Sequence, residues 1–234
     1  MDIVYLVKNS PINEELTYSL RSLVNLPHHQ VFVVGGCPAN LNRDKIIYVP
    51  TLQGGNKYKN TTLSLKTVCQ DSRLSGDFIL MNDDFFILKP IKDPISELNL
   101  CRGTIKEVLE KMRTRHNTDG PYMTSMHQTD VYLQDIGVKT PLSYELHIPI
   151  VFNKTKFLDV FSLPYITDSI LAHKRSVYGN LYFTNSVKID DVKVYRDFET
   201  LIGSDKFLST EDISWPKVKP HIHTLFSNKS IYEL

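Results

Sequence analysis

The sequence predicts an α/β fold, in which a mostly parallel β-sheet flanked by helices forms a single domain over residues 1–234. Short apolar runs alternate with amphipathic helical patterns through the first hundred residues, and this alternation is typical of βαβ units. The chain also contains no internal repeat and no linker-like stretch. A chain of 234 residues is therefore expected to build one large core.

The first half of the chain carries the clearest pattern of strands and helices. An apolar run over 3–7 predicts the first strand, and Asn13 is placed to cap a helix that has two glutamates in its first turn and leucines at helical spacing. The remaining elements of this half are two strands, a polar loop, a helix and the most apolar strand, over 30–34, 46–49, 53–60, 61–70 and 78–81.

The second half predicts a more mixed set of elements. Thr104 and Glu107 form a capping-box pattern that opens a helix. Further helices are expected over about 128–134 and from Thr155 onward. The last thirty residues are rich in Pro, His and Ser, and we expect them to form an extended cover over the sheet edge.

Composition excludes several classes of protein. There are 27 basic and 26 acidic residues, with 41% hydrophobic and 23% charged residues. This composition is typical of a globular protein, and the near-neutral charge argues against a protein that coats nucleic acid by charge alone.

The three cysteines are far apart, so neither a zinc ribbon nor a disulfide framework is indicated, and a reducing compartment is favoured. No GxGxxG and no GxxxxGK[ST] pattern occurs, which argues against a classical Rossmann dehydrogenase or P-loop NTPase. No apolar run is long enough to span a membrane and no signal peptide is evident, so we expect a cytoplasmic protein.

The most informative segment is an acidic pair between two apolar runs. Asp83 and Asp84 follow the most apolar strand, with Asn82 before them. Adjacent carboxylates in an apolar setting repel each other, and a divalent cation relieves that repulsion. Oxygen ligands favour Mg²⁺ or Mn²⁺, so Asp83 and Asp84 are the predicted metal ligands, at the carboxyl end of a strand where α/β sheets bind ligands. The alternative is a plain turn between two strands of a hairpin.

The chain carries short motifs that resemble those of a known class of enzyme. The sequence Asn-Asp-Asp-Phe-Phe over 82–86 resembles the Asp-x-Asp-type motif of nucleotide-sugar transferases with the GT-A fold. It resembles, more narrowly, a segment of the Stealth sugar-phosphate transferases, and residues 2–5 with 13–23, and 144–149 with 156–158, are similar to two other Stealth blocks. The resemblance implies a GT-A-like sheet, a nucleotide-sugar donor and a divalent metal.

Three further side chains are candidates for catalysis or metal binding. His147 stands two residues before a proline in a Stealth-like block; it is either a general base or a histidine packed by a rigid turn. Asp212 lies in an acidic segment near the only tryptophan, where it either contacts the acceptor or begins a helix. His221 and His223 would share one face of a strand, which makes His223 a candidate metal ligand, or they are surface histidines.

Basic side chains are candidates for binding the donor's phosphates. Arg21 falls on the first helix away from its leucine stripe, and a guanidinium suits phosphate, although an ion pair with a glutamate of the same helix is the alternative. Lys8 follows the first strand. Lys57 and Lys59 lie in the polar loop, which either clamps a diphosphate or is merely solvated. With Asn82 and Asp83, these residues form the predicted donor-binding set.

We therefore expect a metal-dependent glycosyltransferase that moves a sugar from a nucleotide sugar, a UDP-sugar in the first instance, to an acceptor hydroxyl. Residues 1–100 are expected to bind the donor and 101–234 to hold the acceptor, with His147, Asp84 and Asp212 catalytic. The acceptor is a glycan or, as in a phage-infected bacterial cell, a hydroxymethylated DNA base. Transfer of a sugar phosphate is one alternative. A non-catalytic module that binds carbohydrate or nucleic acid is another.

Overall fold

A computed structural model describes residues 1–114, 120–168, 171–195 and 206–234 of the chain. The chain divides into two compact units, and both are discontinuous in sequence. The first unit contains 1–98, 147–154 and 192–234, and the second contains 99–146 and 155–191. The two units are therefore not the two halves of the sequence, because the chain returns twice to the first unit after residue 100.

The secondary structure begins with the alternation that the sequence predicts. In chain order the elements are β1 (Asp2–Val7), α1 (Glu14–Ser22), β2 (Val31–Gly35), β3 (Ile47–Pro50), α2 (Lys57–Gln70), β4 (Asp77–Asn82), β5 (Phe85–Ile87), α3 (Pro94–Glu97), β6 (Leu100–Cys101), α4 (Ile105–Arg113), α5 (Pro121–Asp135), β7 (Ile150–Asn153), α6 (Lys154–Ser162), α7 (Pro164–Asp168), α8 (Lys174–Tyr182), β8 (Val187–Lys188), β9 (Phe207–Ser209) and α9 (Trp215–Leu225).

The main sheet of the first unit has the strand order β3-β2-β1-β4-β7. The first four of these strands are parallel, and β7 is antiparallel to β4. The pairs Val7–Gly35, Gly35–Pro50 and Leu6–Asn82 are in register, so β1 to β4 end at one edge of the sheet. The chain builds outward from β1 to β2 and β3 on one side and to β4 on the other. Parallel sheets bind ligands at such a reversal of strand order.

The strand that follows β4 in sequence, β5, belongs to a separate two-stranded sheet. Only two residues separate β5 from the end of β4, but β5 pairs antiparallel with β9 and not with β4. Asp83 and Asp84 are the two residues between these strands. The alternative of a plain hairpin turn is therefore wrong, because the acidic pair joins two different sheets.

The core of the first unit explains why α1 and α9 form. Leu16, Leu20 and Leu23 are almost fully buried, and burying one leucine side chain contributes about 2 kcal/mol. Asn13 caps α1 by accepting a hydrogen bond from the Leu16 amide at 2.9 Å, as predicted. α9 packs against the same region through Trp215, whose ring stacks on Phe86 at 5.6 Å between centroids.

Two sequence expectations about local structure are wrong. The last thirty residues are not extended throughout, because Trp215, Val218 and Ile222 share one buried face and stabilise the helix α9. α2 begins four residues earlier than expected. The Asn56 side chain caps it by accepting a hydrogen bond from the Lys59 amide, so Lys57 and Lys59 lie in the first helical turn and not in a loop.

The second unit is mainly helical in its described part. The capping box of Thr104 and Glu107 is present at the start of α4. α4 and α5 share an apolar cluster that includes Val108, Met126 and Leu133. In the described residues, no helix combines the length and the apolar character that a membrane crossing requires.

Candidate functional site: carboxylates at the sheet edge

The candidate site is a cluster of carboxylates at the carboxyl edge of the main sheet. Asp83 and Asp84 are half-buried there, immediately after β4. Asn13 of the β1–α1 connection, Lys193 before β9 and Ser209 at the end of β9 supply their partners, so separate parts of the first unit meet at this point. The acidic pair is held by side chains of the protein and does not project freely into solvent.

Asp83 is tied to the start of the first helix. Its Oδ2 accepts a hydrogen bond from Nδ2 of Asn13 at 2.6 Å. The Asn13 side chain therefore does two things, since its oxygen caps α1 while its nitrogen holds Asp83. Burial, together with the adjacent charge of Asp84, raises the pKa of Asp83 to about 6. The hydrogen bond from Asn13 lowers the pKa and offsets only part of this rise.

Asp84 is tied to the segment around β9. Its Oδ2 accepts hydrogen bonds from Nζ of Lys193 at 3.2 Å and from Oγ of Ser209 at 3.1 Å. Lys193 and Asp84 form an ion pair in which each side chain is 16% exposed. Sequence reasoning missed Lys193, because 109 residues separate the partners and no local pattern indicates the contact.

Glu15 is a third carboxylate of the cluster. It lies in the first turn of α1, and its Oε1 accepts a hydrogen bond from Oγ1 of Thr210 at 2.5 Å. Burial and the charges of Asp84, Asp83 and Asp212 raise the pKa of Glu15 to about 7. The sequence assigned Glu15 only to the positive end of the helix. The resemblance of residues 13–23 to a Stealth block indicated that this segment is functional, but it did not indicate that Glu15 rather than Glu14 faces the acidic pair.

The remaining predicted catalytic residues also belong to the first unit. Asp212 is exposed, and its charge is among those that raise the pKa of Asp83 and Glu15. His147 is half-buried, and its ring lies edge-on to Phe85 with 6.4 Å between centroids. Phe85 follows Asp84 directly, so His147 lies near the chain that carries the acidic pair.

Two predicted residues are engaged away from the cluster. Arg21 forms a two-pronged ion pair with Glu233 at 2.7 and 2.9 Å and donates to the Phe226 carbonyl. Its partner is therefore a glutamate near the end of the chain and not one of α1, and it is not placed to bind a donor phosphate. His223 lies exposed on α9, where its ring is 6.0 Å from that of Tyr18.

The predicted strand arrangement of the C-terminal histidines is wrong. Residues two apart on a helix point about 200° apart, so His221 and His223 do not share a face of α9. Among the residues that the structure describes, no three His, Cys, Asp or Glu side chains are grouped to hold a metal ion. His223 is therefore not brought to Asp83 and Asp84.

The lysines predicted to bind the donor lie near the other strand ends. Lys8 is exposed and directly follows β1. Lys57 and Lys59 are exposed in the first turn of α2, in the connection that follows β3. Asn82 is the last residue of β4 and pairs in register with Leu6. All four positions therefore belong to the carboxyl edge that also carries the acidic pair.

The donor set of the cluster fits a hard divalent cation. Asp83 and Asp84 supply carboxylate oxygens, which Mg²⁺ and Mn²⁺ prefer. Burial and then the charge of Asp84 raise the pKa of Asp83, and a bound cation would offset both effects. Glu15 acts on the pair through its charge, but no three His, Cys, Asp or Glu side chains of the described residues are placed to hold one ion. A cation bound by Asp83 and Asp84 would therefore complete its coordination with oxygens of a substrate or water.

Comparison with known proteins gives a likeness in fold. No protein-family model matches the chain, and no curated protein does. A solved structure of an active-site mutant of LgtC aligns with 99% of this chain and 98% of its own length, at 12% identity and a TM-score of 0.52. A structure of the galactosyltransferase LgtC in complex with donor and acceptor sugar analogs aligns over 98% and 96%, at 10% identity and a TM-score of 0.47.

The first of these likenesses confirms the predicted fold class, a GT-A-like α/β fold with a mostly parallel central sheet flanked by helices. The comparisons do not support membership of the Stealth family.

Proposed function

We propose that this protein is a glycosyltransferase that moves a sugar from a nucleotide sugar, a UDP-sugar in the first instance, to an acceptor hydroxyl with the help of Mn²⁺ or Mg²⁺. The observation that carries the proposal is the carboxylate cluster of Asp83, Asp84 and Glu15 at the reversal of strand order between β1 and β4. Ligands of open parallel sheets bind at this position. The likeness in fold to the LgtC mutant structure also supports a glycosyltransferase.

The protein's own groups divide between donor and acceptor chemistry in this proposal. Asp83 and Asp84 would hold the metal, which would supply charge neutralisation of the departing diphosphate. Lys8, Lys57 and Lys59 would bind the donor's phosphates through their ammonium groups, and Asn82 would contribute a further polar contact to the donor. These residues all belong to the first unit, so we assign donor binding to that unit.

Proton removal from the acceptor needs a base near the acidic pair. Asp212 is exposed and lies within electrostatic range of Asp83, which suits a group that must meet an incoming acceptor. His147 is the second candidate, because an imidazole accepts a proton near neutral pH. Such a base is required if the transfer inverts the anomeric configuration.

The test is donor hydrolysis with a panel of UDP- and GDP-sugars in Mn²⁺, using the parent protein and Asp84→Asn. Removing a ligand that stabilises the leaving group should lower turnover by about a hundredfold or more. Asp71→Asn is the matched control, since Asp71 is an aspartate of the same unit whose carboxylate binds Arg73 on the surface. Equal turnover by the parent and Asp84→Asn would refute the assignment of the site.

The products separate the competing activities. Release of the nucleoside diphosphate identifies sugar transfer, whereas release of the nucleoside monophosphate identifies transfer of a sugar phosphate. Stabilisation by a nucleotide without hydrolysis or transfer would indicate a binding module. Glycans and DNA that contains hydroxymethylated bases are the acceptors to compare.

A further inference from the structure

Lys193 has an unusual position for a lysine beside a proposed cation site. Its Nζ lies 3.2 Å from Oδ2 of Asp84, and Ser209 donates to the same oxygen at 3.1 Å. The Lys193 side chain is only 16% exposed. The ammonium group of Lys193 thus neutralises Asp84, one of the two carboxylates that would bind a divalent metal.

The backbone that carries Lys193 is firmly held. The amide of Val194 donates to the Ser209 carbonyl at 2.8 Å, and the Val194 carbonyl accepts a hydrogen bond from Oγ of Ser214 at 2.6 Å. The lysine side chain itself is flexible, with a compact charge at the end of four methylenes. The ammonium group can therefore change partners while the backbone stays in place.

A divalent cation and an ammonium group compete for Asp84. Two cations on the same carboxylate oxygen would lie within about 4 Å of each other, where like charges repel strongly in a partly buried site. A donor diphosphate brings phosphate oxygens to the same place, and these are good acceptors for the displaced ammonium group.

We propose that Lys193 is an exchangeable counter-ion, which neutralises Asp84 in the absence of substrate and binds a phosphate oxygen of the donor when a divalent cation occupies the acidic pair. This inference rests on the proposed function and adds a donor contact to it. Its consequence is that the metal alone binds weakly, whereas the metal and the nucleotide bind cooperatively. Lys193 reduces the affinity for the metal alone and increases the affinity for the nucleotide.

Isothermal titration calorimetry tests both effects with MnCl₂ alone and with UDP in saturating MnCl₂. Lys193→Met removes the competing charge and keeps most of the side-chain volume, so it should bind Mn²⁺ alone about fivefold to tenfold more tightly. The same variant should bind UDP about tenfold more weakly. Lys193→Arg keeps the charge and should stay within about threefold of the parent in both titrations.

Lys219→Met is the matched control, because Lys219 pairs with Glu14 in the same unit at 2.6 Å and should change neither affinity. Unchanged or weaker Mn²⁺ binding by Lys193→Met would overturn the inference, as would unchanged UDP binding or an arginine variant that behaves like the methionine variant. Any of these contrary results would leave the proposed function standing, provided that the parent protein binds UDP in the presence of Mn²⁺. A parent protein that binds no nucleotide would instead refute the proposed function, and this inference with it.

Discussion

Two adjacent glutamates of α1 have opposite electrostatic environments, and this difference gives the sharpest test of the site. Glu15 lies against the carboxylate cluster, and its pKa is raised to about 7 by burial and by neighbouring negative charge. Glu14 binds Lys219 and the Trp215 indole nitrogen, and the hydrogen bond from Lys219 lowers the pKa of Glu14. Replacing each glutamate by glutamine should therefore change the stability in opposite directions.

The magnitude for Glu15 follows from its pKa. A rise from 4.5 to about 7 corresponds to at most about 3 kcal/mol of folding free energy, and solvent screening of a half-buried group reduces this to about 2 kcal/mol. Because the folded state holds the proton more tightly, the stabilising contribution of Glu15 is complete below pH 4.5 and is lost as the pH rises through about 7.

We expect Glu15→Gln to increase the free energy of unfolding by about 2 kcal/mol at pH 8 and to have little effect below pH 4.5. The amide oxygen of glutamine can still accept the hydrogen bond from Thr210, so the substitution mainly removes charge. Urea unfolding in EDTA measures the difference. The single tryptophan, Trp215, is buried against Phe86 and reports unfolding by its fluorescence.

Glu14→Gln is the control for this experiment and should cause a small loss of stability at pH 8. A loss of stability in Glu15→Gln at pH 8 would refute the electrostatic reasoning. So would a gain that persists unchanged at pH 4, because protonated Glu15 carries no charge to repel its neighbours.

Two further predictions concern packing and the cap of the first helix. Gly179→Ala should destabilise the protein by about 3 kcal/mol, because the added Cβ would lie 2.3 Å from the Tyr144 ring. Thermal unfolding followed by circular dichroism measures the loss. Gly76→Ala is the control, since its Cβ would meet no atom within 4 Å, and equal losses in the two variants would contradict the packing argument. Asn13→Asp keeps a capping oxygen but turns a carboxylate toward Asp83, so we expect a loss of about 1 to 2 kcal/mol in urea unfolding at pH 8 that is smaller at pH 5. A loss independent of pH would show that charge is not the cause.

Local patterns in the sequence predicted much of the fold. The apolar runs that became β1, β2 and β4 and the capped helix at Asn13 were predicted within a few residues of their observed bounds. The acidic pair could be located as well, since carboxylates that follow a buried strand are a local signal. The helix α9 was missed because its buried face depends on Phe86 and Tyr18, which lie more than a hundred residues earlier in the chain.

The partners of the acidic pair could not be predicted in this way. Lys193 reaches Asp84, and Thr210 reaches Glu15, only because the chain returns to the first unit after residue 191. Arg21 shows the converse, since a residue type suited to phosphate is used for an ion pair with Glu233.

The sequence by itself determined that this protein has a parallel α/β sheet with two carboxylates after its fourth strand, because strand periodicity, helix caps and apolar runs act between residues that are close along the chain. Only the tertiary structure decided which side chains neutralise those carboxylates and which leave them charged. That choice depends on distances of a few ångströms between segments far apart in sequence, over which both Coulomb energy and hydrogen bonding change steeply.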